Sequence, residues 1–300
     1  MVEAVQQAMG DGAAHGVRLS YAVETEPLGT GGGVRNAASL VGDLVAVLNG
    51  DVLTDLDLGA MLAFHRSRGA AATIYLTRVA DPSAYGLVEL EDDGRVRRFV
   101  EKPGPSEITT DAINAGVYLL DRRLLDRIPT DRPVSIEREF FPGLLRDRVP
   151  FYGWVSPGYW LDIGDPARYR QGQLDLLAGR VATDVVPPGL RADATAGATD
   201  GAGVDPTAVL AAPAVVGRGS RLGPGARVGP RAVLGERCAI GARAVVEGAI
   251  LWEDVAVGAD ARLVDCVVGA GARVGARSVI GPGAVVASGA EVPADGRLPA

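Results

Sequence analysis

The feature that most constrains the fold is an aliphatic residue that recurs every six positions through the last third of the chain. The recurrence runs through Val204, Leu210, Val216, Leu222, Val228, Leu234, Ile240 and Val246, and after a shift near Trp252 through Val257, Leu263, Val268, Val274, Ile280 and Val286. Glycine follows directly at Gly217, Gly223, Gly229, Gly235 and Gly241. A helix repeats every 3.6 residues and a strand every 2, so neither explains this period.

A left-handed parallel β-helix explains it, because each coil has three short strands with one inward aliphatic side chain per strand. Residues 204–297 would form about five coils at roughly 18 residues each. We expect glycine at the corners because the chain needs a positive φ there. Trp252 is either an interface residue or a large side chain that fills a widened coil.

Residues 1–180 have a different pattern, in which predicted strands alternate with predicted helices. This order is typical of an α/β layer fold with a mainly parallel sheet. The predicted strands are 17–23, 44–48, 71–79, 86–90, 95–100, 114–120, 151–154 and 159–162. The predicted helices are 1–9, 33–40, one capped by Asp55 or Asp57 that ends near 68, 135–145, and one that Asp165 opens and that ends at 179. Residues 181–203 form a predicted linker.

The composition limits the partners of the chain. The net charge of −7 argues against nucleic acid or an anionic membrane as the main partner. Two cysteines, Cys238 and Cys266, predict neither a disulfide framework nor a metal cluster and fit a reducing cytoplasm. The start of the chain has no signal-peptide pattern, and no run approaches the roughly 20 apolar residues of a membrane span.

Two carboxylates follow predicted strands at positions where open α/β sheets bind ligands. Asp51 ends the apolar run 44–48 and its Asn49-Gly50 turn, and Asp162 ends the short strand 159–162. Such a pair suits Mg²⁺, which uses one or two protein carboxylates together with substrate phosphate oxygens. The alternative is that each aspartate only caps a helix or forms a salt bridge.

Three further motifs also lie at strand ends. A glycine-rich turn, Pro27 to Gly33, precedes a helix, and exposed N–H groups there suit an anionic ligand. Glu101-Lys102 ends the predicted hairpin and offers an acceptor and a point charge for a phosphate. Asn114 starts a strand with an amide that both donates and accepts. Individually these could be an ordinary turn, a solvated hairpin end and a strand residue.

Together, the motifs resemble the sugar-1-phosphate nucleotidyltransferases, and most of all the mannose-1-phosphate guanylyltransferases. The resemblance rests on Asn49-Gly-Asp51, Pro27-Leu-Gly-Thr-Gly-Gly32, Glu101-Lys-Pro103, Asn114-Ala-Gly-Val-Tyr118 and Tyr159-Trp-Leu-Asp-Ile-Gly164, followed by the hexapeptide repeats. It implies a Rossmann-like catalytic domain with a left-handed β-helix. It also implies transfer of a nucleotidyl group from a nucleoside triphosphate to a sugar 1-phosphate, with release of pyrophosphate.

The resemblance also implies a role for each site residue. Asp51 and Asp162 would hold Mg²⁺, and Lys102 would hold the attacking phosphate. The sugar would contact Gly86, Glu101 and Asn114, and the nucleotide would contact Glu24, Pro27, Gly29 and Gly50. Relatives that read thymine or uracil have an amide at the position of Glu24. A carboxylate only accepts, which suits the N1–H and 2-amino donors of guanine. The sugar is left open between mannose and glucose.

One family feature does not occur in this sequence: a first strand followed by a Gly-x-Gly-Thr-Arg-Leu-like loop that wraps the triphosphate. Without it, we expect the strand at Val45 to lack a neighbour, and we expect little or no turnover. A misassigned start, a degenerate gene product and a catalytically silent homologue are the three explanations.

Acyl transfer and a non-enzymatic regulatory role are the two alternative functions. Acyl transfer on a β-helix uses a histidine on or beside the helix, but His15 and His65 both precede it. The non-enzymatic alternative is a regulatory subunit that binds sugar nucleotide and self-associates through its β-helix. Whether the chain is a nucleotidyltransferase or such a regulatory subunit, we expect it to form a homo-oligomer.

Overall fold

A computed structural model describes residues 2–183, 197–198 and 201–299. By internal contacts the chain divides into two compact units, which we call unit 1 (Met1–Val52 and Leu56–Trp160) and unit 2 (Leu53–Asp55 and Leu161–Ala300). This division falls before the predicted boundary at 180, because the helix after Asp165 groups with the repeats. Most of the predicted linker lies outside the described residues.

Unit 1 contains most of the predicted strands and helices. Its strands are β1 (Leu44–Leu48), β3 (Ala72–Arg78), β4 (Gly86–Leu90), β5 (Val96–Glu101), β6 (Ala112–Asp121) and β7 (Phe151–Val155). Two short strands, β2 (Val52–Thr54) and β8 (Trp160–Asp162), each begin in unit 1 and end in unit 2. Its helices are α1 (Val2–Met9), α2 (Gly29–Asn36), α3 (Leu58–Ser67), α4 (Arg122–Leu125), a π-helical turn (Ile136–Phe140) and α5 (Phe141–Arg146). Short 3₁₀ turns span Ala13–His15 and Pro105–Glu107.

The main sheet has the strand order β5-β4-β6-β3-β7, and β1 pairs with β6. The prediction of a mainly parallel sheet is wrong: among the described residues of this sheet only β3 and β7 pair in parallel. The pairs β1–β6, β3–β6, β4–β5 and β4–β6 are antiparallel. The hairpin turn explains why β4 and β5 are antiparallel, but the direction of β6 is determined by its pairing with strands that are distant in sequence. The two-stranded sheet β2–β8 is separate.

The core of unit 1 is organised around Phe141. Its ring lies 4.9 Å from that of Tyr118, 5.2 Å from Phe151 and 5.4 Å from Phe99, measured between centroids. All four side chains are buried. Because these residues come from β5, β6, β7 and α5, the cluster joins the sheet to the segment that follows the π-helical turn.

Two local predictions differ from the structure. Residues 17–23 form no strand and expose Val17 and Val23, because alternating polarity without a partner strand does not stabilise β-structure. Helix α2 begins at Gly29, inside the predicted glycine turn. A third prediction is confirmed, because β1 lacks a neighbour along one edge: it pairs with β6, and no other strand among the described residues pairs with it. Leu48 of β1 is 56% exposed. The sequence also predicted that Asp55 or Asp57 caps α3, and the structure shows that Asp57 is the cap.

Unit 2 consists of helix α6 (Pro166–Leu177) and a parallel β-solenoid, as predicted. Asp165 caps α6 by accepting from the N–H of Arg168. The solenoid strands are β9 (Gly197–Ala198), β10 (Gly203–Val204), β11 (Val209–Leu210), β12 (Ala214–Val216), β13 (Arg221–Leu222), β14 (Arg227–Val228), β15 (Ala232–Leu234), β16 (Ala239–Ile240), β17 (Val245–Glu247), β18 (Ile250–Leu251), β19 (Ala256–Val257), β20 (Arg262–Val264), β21 (Val267–Val268), β22 (Arg273–Val274), β23 (Val279–Ile280), β24 (Val285–Val286), β25 (Glu291–Val292) and β26 (Arg297–Leu298).

These strands stack into three six-stranded parallel sheets, one for each face of the solenoid. From Val216 onward the recurring aliphatic residues are buried in one continuous apolar core, and Leu210 packs against it, whereas Val204 is 40% exposed. The register shift is visible in the pairing, since Val215 pairs with Val233 but Val233 pairs with Ile250, one position sooner. Trp252 does not fill this shortened coil: it is 40% exposed and contacts Tyr169 of α6 edge-to-face.

Some glycines of the solenoid, such as Gly219 and Gly271, have the predicted positive φ, but those directly after an aliphatic residue mostly serve a different purpose. Of the five named in the sequence analysis, only Gly229 has a positive φ. At Gly217 and Gly241, an added Cβ would lie within 2.6 Å of backbone atoms of the next coil. The glycines therefore permit close stacking, and arginine and aspartate occupy many left-handed corner positions, for example Arg243 and Asp260.

These corner residues form charge ladders along the solenoid. Arg243 donates two hydrogen bonds of 2.7 Å to Asp260, and Arg277 donates two of 2.8 and 2.7 Å to Asp295. Hydrogen bonds from the arginines hold the pKa values of Asp260 and Asp295 below their ordinary range. Each pair joins successive coils across the surface.

We expect the thermal stability of the solenoid to fall in acid because of these ladders. A carboxylate whose pKa is depressed on folding contributes stability above its unfolded pKa of about 3.9, and that stability is lost as the pH falls through the folded value. The melting temperature should therefore drop below about pH 4. Asp260→Asn should flatten this dependence, and about 1 M salt should weaken it, since exposed pairs are screened. An identical pH profile for Asp260→Asn would contradict the interpretation.

Among the described residues, every helix is too short or too polar to cross a membrane.

Candidate functional site

The structure brings two of the predicted motifs together, one just after the end of β1 and the other inside β6, which begins at Ala112 rather than at Asn114 as predicted. The N–H of Asn49 donates to the carbonyl of Gly116 at 2.8 Å. Gly116 has φ 76°, and an added Cβ would lie 2.8 Å from Nδ2 of Asn49. Glycine is therefore required at this position both for its backbone conformation and for contact with the Asn49-Gly50-Asp51 turn.

Asn114 already uses part of its hydrogen-bonding capacity within the strand. Its Oδ1 accepts from the N–H of Gly116 at 3.0 Å, and its Nδ2 donates to the hydroxyl of Tyr118 at 2.9 Å. Burial raises the pKa of Tyr118, so its hydroxyl stays protonated. An amide has two N–H donors, so one remains available to a ligand.

Trp160 connects a third motif to the same place. Its indole N–H donates to the carbonyl of Ala115 at 2.9 Å. Its ring also contacts Tyr85 edge-to-face at 5.4 Å between centroids. Tyr85 directly precedes Gly86, so Trp160 links the start of β4 to the Asn114-Ala-Gly116 segment.

Gly86 lies opposite Glu101 in the β4–β5 hairpin. An added Cβ at Gly86 would lie 2.8 Å from Oε2 of Glu101 and 2.9 Å from the ring of Phe99, so this position has no room for a side chain. Burial raises the pKa of Glu101, the charge of Glu137 raises it further, and Lys102 and Arg138 oppose the shift. A partly desolvated carboxylate of this kind is a strong acceptor for ligand hydroxyl groups.

Lys102 has φ 50°, which is unusual for a residue with a side chain. This left-handed conformation is costly for L-residues, and such outliers concentrate at functional sites. The side chain of Lys102 is exposed at the end of β5, between Glu101 and buried Pro103. Arg243 and Asp260 adopt the same conformation at structural corners of the solenoid, so both the functional interpretation of this turn and that of an ordinary solvated hairpin end stay open.

The glycine-rich turn packs tightly against the segment before the π-helical turn. The N–H groups of Gly31 and Gly32 donate to the carbonyl of Val134 at 2.8 and 3.3 Å. An added Cβ at Gly29 would lie 2.6 Å from the same oxygen. These two donors are therefore already used, and the glycines serve chain packing rather than an open anion cradle.

Glu24 fixes the shape of the turn that Pro27 begins. Its Oε2 accepts from the N–H of Leu28 at 2.9 Å, and an added Cβ at Gly33 would lie 2.6 Å from its Oε1. The carboxylate is exposed to solvent. It is therefore oriented by the backbone on one side and accessible on the other.

The two predicted metal ligands, Asp51 and Asp162, belong to different units of the chain. Asp51 is exposed in the turn between β1 and β2. Asp162 accepts from the N–H of Gly164 at 2.9 Å through Oδ1, and from Arg168 at 2.8 Å through Oδ2. The described residues contain no cluster of three acidic, histidine or cysteine side chains.

Each of these two carboxylates, taken by itself, is compatible with Mg²⁺. The ion prefers carboxylate oxygens and commonly takes only one or two from the protein. Each oxygen of Asp162 accepts one hydrogen bond and retains a lone pair. The ion pair with Arg168 also matches the alternative that we considered, a structural salt bridge.

Sequence reasoning missed three residues that connect these motifs. Thr30 donates to Oε2 of Glu137 at 2.8 Å and accepts from the N–H of Ile136 at 2.9 Å. Ser135 caps the π-helical turn through the N–H of Arg138. No motif indicated Glu137, because its contact with Thr30 spans 107 positions in the sequence. The Ser135 cap is the one local signal that could have drawn attention to this turn.

The chain matches two families of known proteins. Residues 2–179 match the family described as Nucleotidyl transferase, and residues 199–298 match that of the EIF2B subunit epsilon LbH domain.

Curated relatives include a mannose-1-phosphate guanylyltransferase of Mycobacterium tuberculosis, 45% identical over 70% of this chain and 58% of that protein. Mannose-1-phosphate guanylyltransferase 1 of Arabidopsis thaliana is 43% identical over 52% of this chain and 44% of that protein. The chain thus spans about half the length of these relatives.

Solved structures share the fold at lower sequence identity. A candidate glucose-1-phosphate thymidylyltransferase from Bacillus anthracis, in complex with sucrose, aligns with a TM-score of 0.51 at 21% identity. The alignment covers 57% of this chain and 70% of that one.

Proposed function

Because this chain belongs to the nucleotidyl transferase family, we propose that it transfers a guanylyl group from GTP to mannose 1-phosphate. The proposal is supported most by the contact between the Asn49-Gly50-Asp51 turn and the Asn114-Ala-Gly116 segment. That contact joins a nucleotide motif to a sugar motif. The curated relatives named above carry the same activity in their names.

In the proposed reaction, a phosphate oxygen of the sugar phosphate forms a bond to the α-phosphorus of GTP. The bond from that phosphorus to the bridging oxygen breaks, and pyrophosphate leaves with the electron pair. The protein contributes position and charge rather than covalent chemistry. Lys102 holds the attacking phosphate as a point charge.

The other predicted residues bind the two substrates. Glu101, Asn114 and the backbone at Gly86 contact the sugar, whose hydroxyls meet the partly buried carboxylate and the free amide N–H. Glu24, Pro27, Gly29 and Gly50 contact the nucleotide. The exposed oxygen of Glu24 accepts from N1–H and the 2-amino group of guanine. When bound, Mg²⁺ neutralises phosphate charge, and Asp51 and Asp162 are the residues that would hold it.

Pyrophosphate release by the purified chain tests this function. The assay combines Mg²⁺, GTP or dTTP, and mannose 1-phosphate or glucose 1-phosphate, with Asp51→Asn as the control. Release that requires GTP and mannose 1-phosphate and that falls at least about 100-fold in Asp51→Asn would support transfer. It would also contradict the expectation of little turnover drawn from the sequence. Binding without release would favour the silent subunit, and absence of binding would overturn the proposal.

We further propose that the chain acts in the cytoplasm as a homo-oligomer assembled through the solenoid. Cys238 and Cys266 are both free thiols buried in the solenoid core, which suits a reducing compartment. Val285 on the solenoid surface is 51% exposed, as an interface residue would be in the isolated chain. A monomer in sedimentation velocity would contradict the assembly.

A further inference from the structure

Glu137 occupies the first turn of the π-helical segment, and two hydroxyl groups orient its carboxylate. Oε2 accepts from Thr30 at 2.8 Å and from Ser135 at 2.9 Å. Thr30 belongs to the glycine-rich turn, and its hydroxyl also accepts from the backbone of Ile136. These bonds fix the direction of the carboxylate and tie it to the predicted nucleotide turn. π-helical turns of this kind occur frequently at functional sites.

The carboxylates of Glu137 and Glu101 both retain oxygens that can accept hydrogen bonds from a ligand. Within the part of the chain that the structure describes, no donor reaches Oε1 of Glu137 or either oxygen of Glu101. Both side chains are partly buried. Among the described residues these oxygens are not buried unsatisfied atoms, so water reaches them in the free chain, and a ligand hydroxyl can replace that water as the donor.

The charge of Glu137 also acts on the residues of the sugar motifs. It raises the pKa of Glu101, after the larger effect of burial, and it raises the pKa of Tyr118, which bonds to Asn114. Lys102 and Arg138 partly offset the repulsion at Glu101. The π-helical turn that carries Glu137 also packs against β5, the strand that ends in Glu101, so the two carboxylates belong to adjacent elements.

We propose that Glu137 is a second carboxylate of the sugar pocket, held in place by Thr30, which accepts sugar hydroxyls together with Glu101. This inference rests on the proposed function. A sugar carries adjacent hydroxyls, so one ligand can donate to both carboxylates at once and stand between their two negative charges. The positions of those hydroxyls would then determine which sugar binds.

Ligand binding to Glu137→Ala tests the inference, with Glu139→Ala as the matched control. Glu139 is an exposed glutamate on the same turn, paired with Arg132 at 2.7 Å. Calorimetry of the 300-residue chain should show mannose 1-phosphate bound about tenfold more weakly by Glu137→Ala, with GTP affinity within about twofold. Glu139→Ala should leave both affinities within about twofold. The melting temperature of each variant checks that it folds.

Monodeoxy mannose 1-phosphates distinguish direct contact from a purely structural role. In the unchanged chain, at least one deoxy analogue should bind about tenfold more weakly, and Glu137→Ala should lose that discrimination. Survival of every deoxy penalty in Glu137→Ala would overturn the inference and leave the proposed function intact. If the unchanged chain binds neither mannose 1-phosphate nor glucose 1-phosphate, the proposed function fails, and the inference fails with it.

Glu137→Gln provides a second variant that should fold, since the amide oxygen still accepts from Thr30 and Ser135. Removing the negative charge should lower the pKa of Glu101, which carbon NMR of its carboxyl group measures without any ligand. An unchanged pKa for Glu101 would show that the two side chains do not share a pocket and would overturn the inference.

Discussion

Replacing Gly258 with alanine is expected to destabilise the solenoid by about 3 kcal/mol. An added Cβ would lie 2.5 Å from the backbone nitrogen of Ala276 and 2.8 Å from its Cα. The next coil cannot simply move away, because the N–H of Gly258 donates to the carbonyl of Val274 at 2.7 Å. Overpacking usually costs about 1–3 kcal/mol, and contact with backbone atoms places this substitution at the upper end.

Gly203→Ala is the matched control for this prediction. Gly203 lies in the same solenoid with a negative φ, and an added Cβ would only reach the flexible side chain of Arg221 at 3.6 Å. Thermal unfolding followed by circular dichroism should show a melting temperature at least about 10 °C lower for Gly258→Ala than for Gly203→Ala. Equal melting temperatures would show that the coils tolerate a side chain at this corner.

The solenoid was predictable because its period is local, but the period does not reveal what each corner needs. An inward aliphatic every six residues requires three strands per coil, and the structure confirms this. Which corner residue adopts a positive φ depends on backbone geometry that the repeat does not encode. Arg243 and Asp260 adopt it and gain an ion pair across coils that offsets part of the conformational cost.

The first unit was less predictable, because its sheet depends on pairing between distant segments. Apolar runs gave β1, β3 and β6 close to their observed bounds, but not their directions. β6 pairs antiparallel with both β1 and β3, and even the nearest partners, Arg78 and Ala112, are 34 positions apart. Residues 17–23 have a strand-like alternation and form no strand, since alternation stabilises a strand only beside a partner.

The candidate site was likewise only partly predictable from the sequence. Asn49, Gly116 and Trp160 belong to motifs that were visible in the sequence, and the structure joins them by hydrogen bonds. Glu137 belongs to none of these motifs, and its relation to Thr30 depends on how two remote segments pack. Motifs therefore indicate candidate binding residues, whereas a residue such as Glu137, whose contact depends on two remote segments, is found only from the fold.

Replacing Gly116 with alanine is expected to weaken binding of mannose 1-phosphate, in the presence of GTP and Mg²⁺, by about 100-fold. The added Cβ would lie 2.8 Å from Nδ2 and 3.0 Å from Cγ of Asn49, so the Asn49-Gly50-Asp51 turn would have to move. Displacement of a site by about 1 Å can cost a factor of about 100. The substitution should also reduce stability by about 2–4 kcal/mol, from the left-handed backbone and from the contact together.

Gly94→Ala separates these two causes. Gly94 has φ 86°, similar to the 76° of Gly116, but an added Cβ would meet no atom closer than 3.9 Å. It should therefore show only the backbone cost, about 1–2 kcal/mol in urea unfolding, and leave ligand affinity within about twofold. If Gly116→Ala is destabilised no more than Gly94→Ala, the contact with Asn49 does not hold the Asp51 turn. If Gly116→Ala is more destabilised yet binds normally, Asp51 does not lie in the binding site, because the turn that carries it can then shift without consequence.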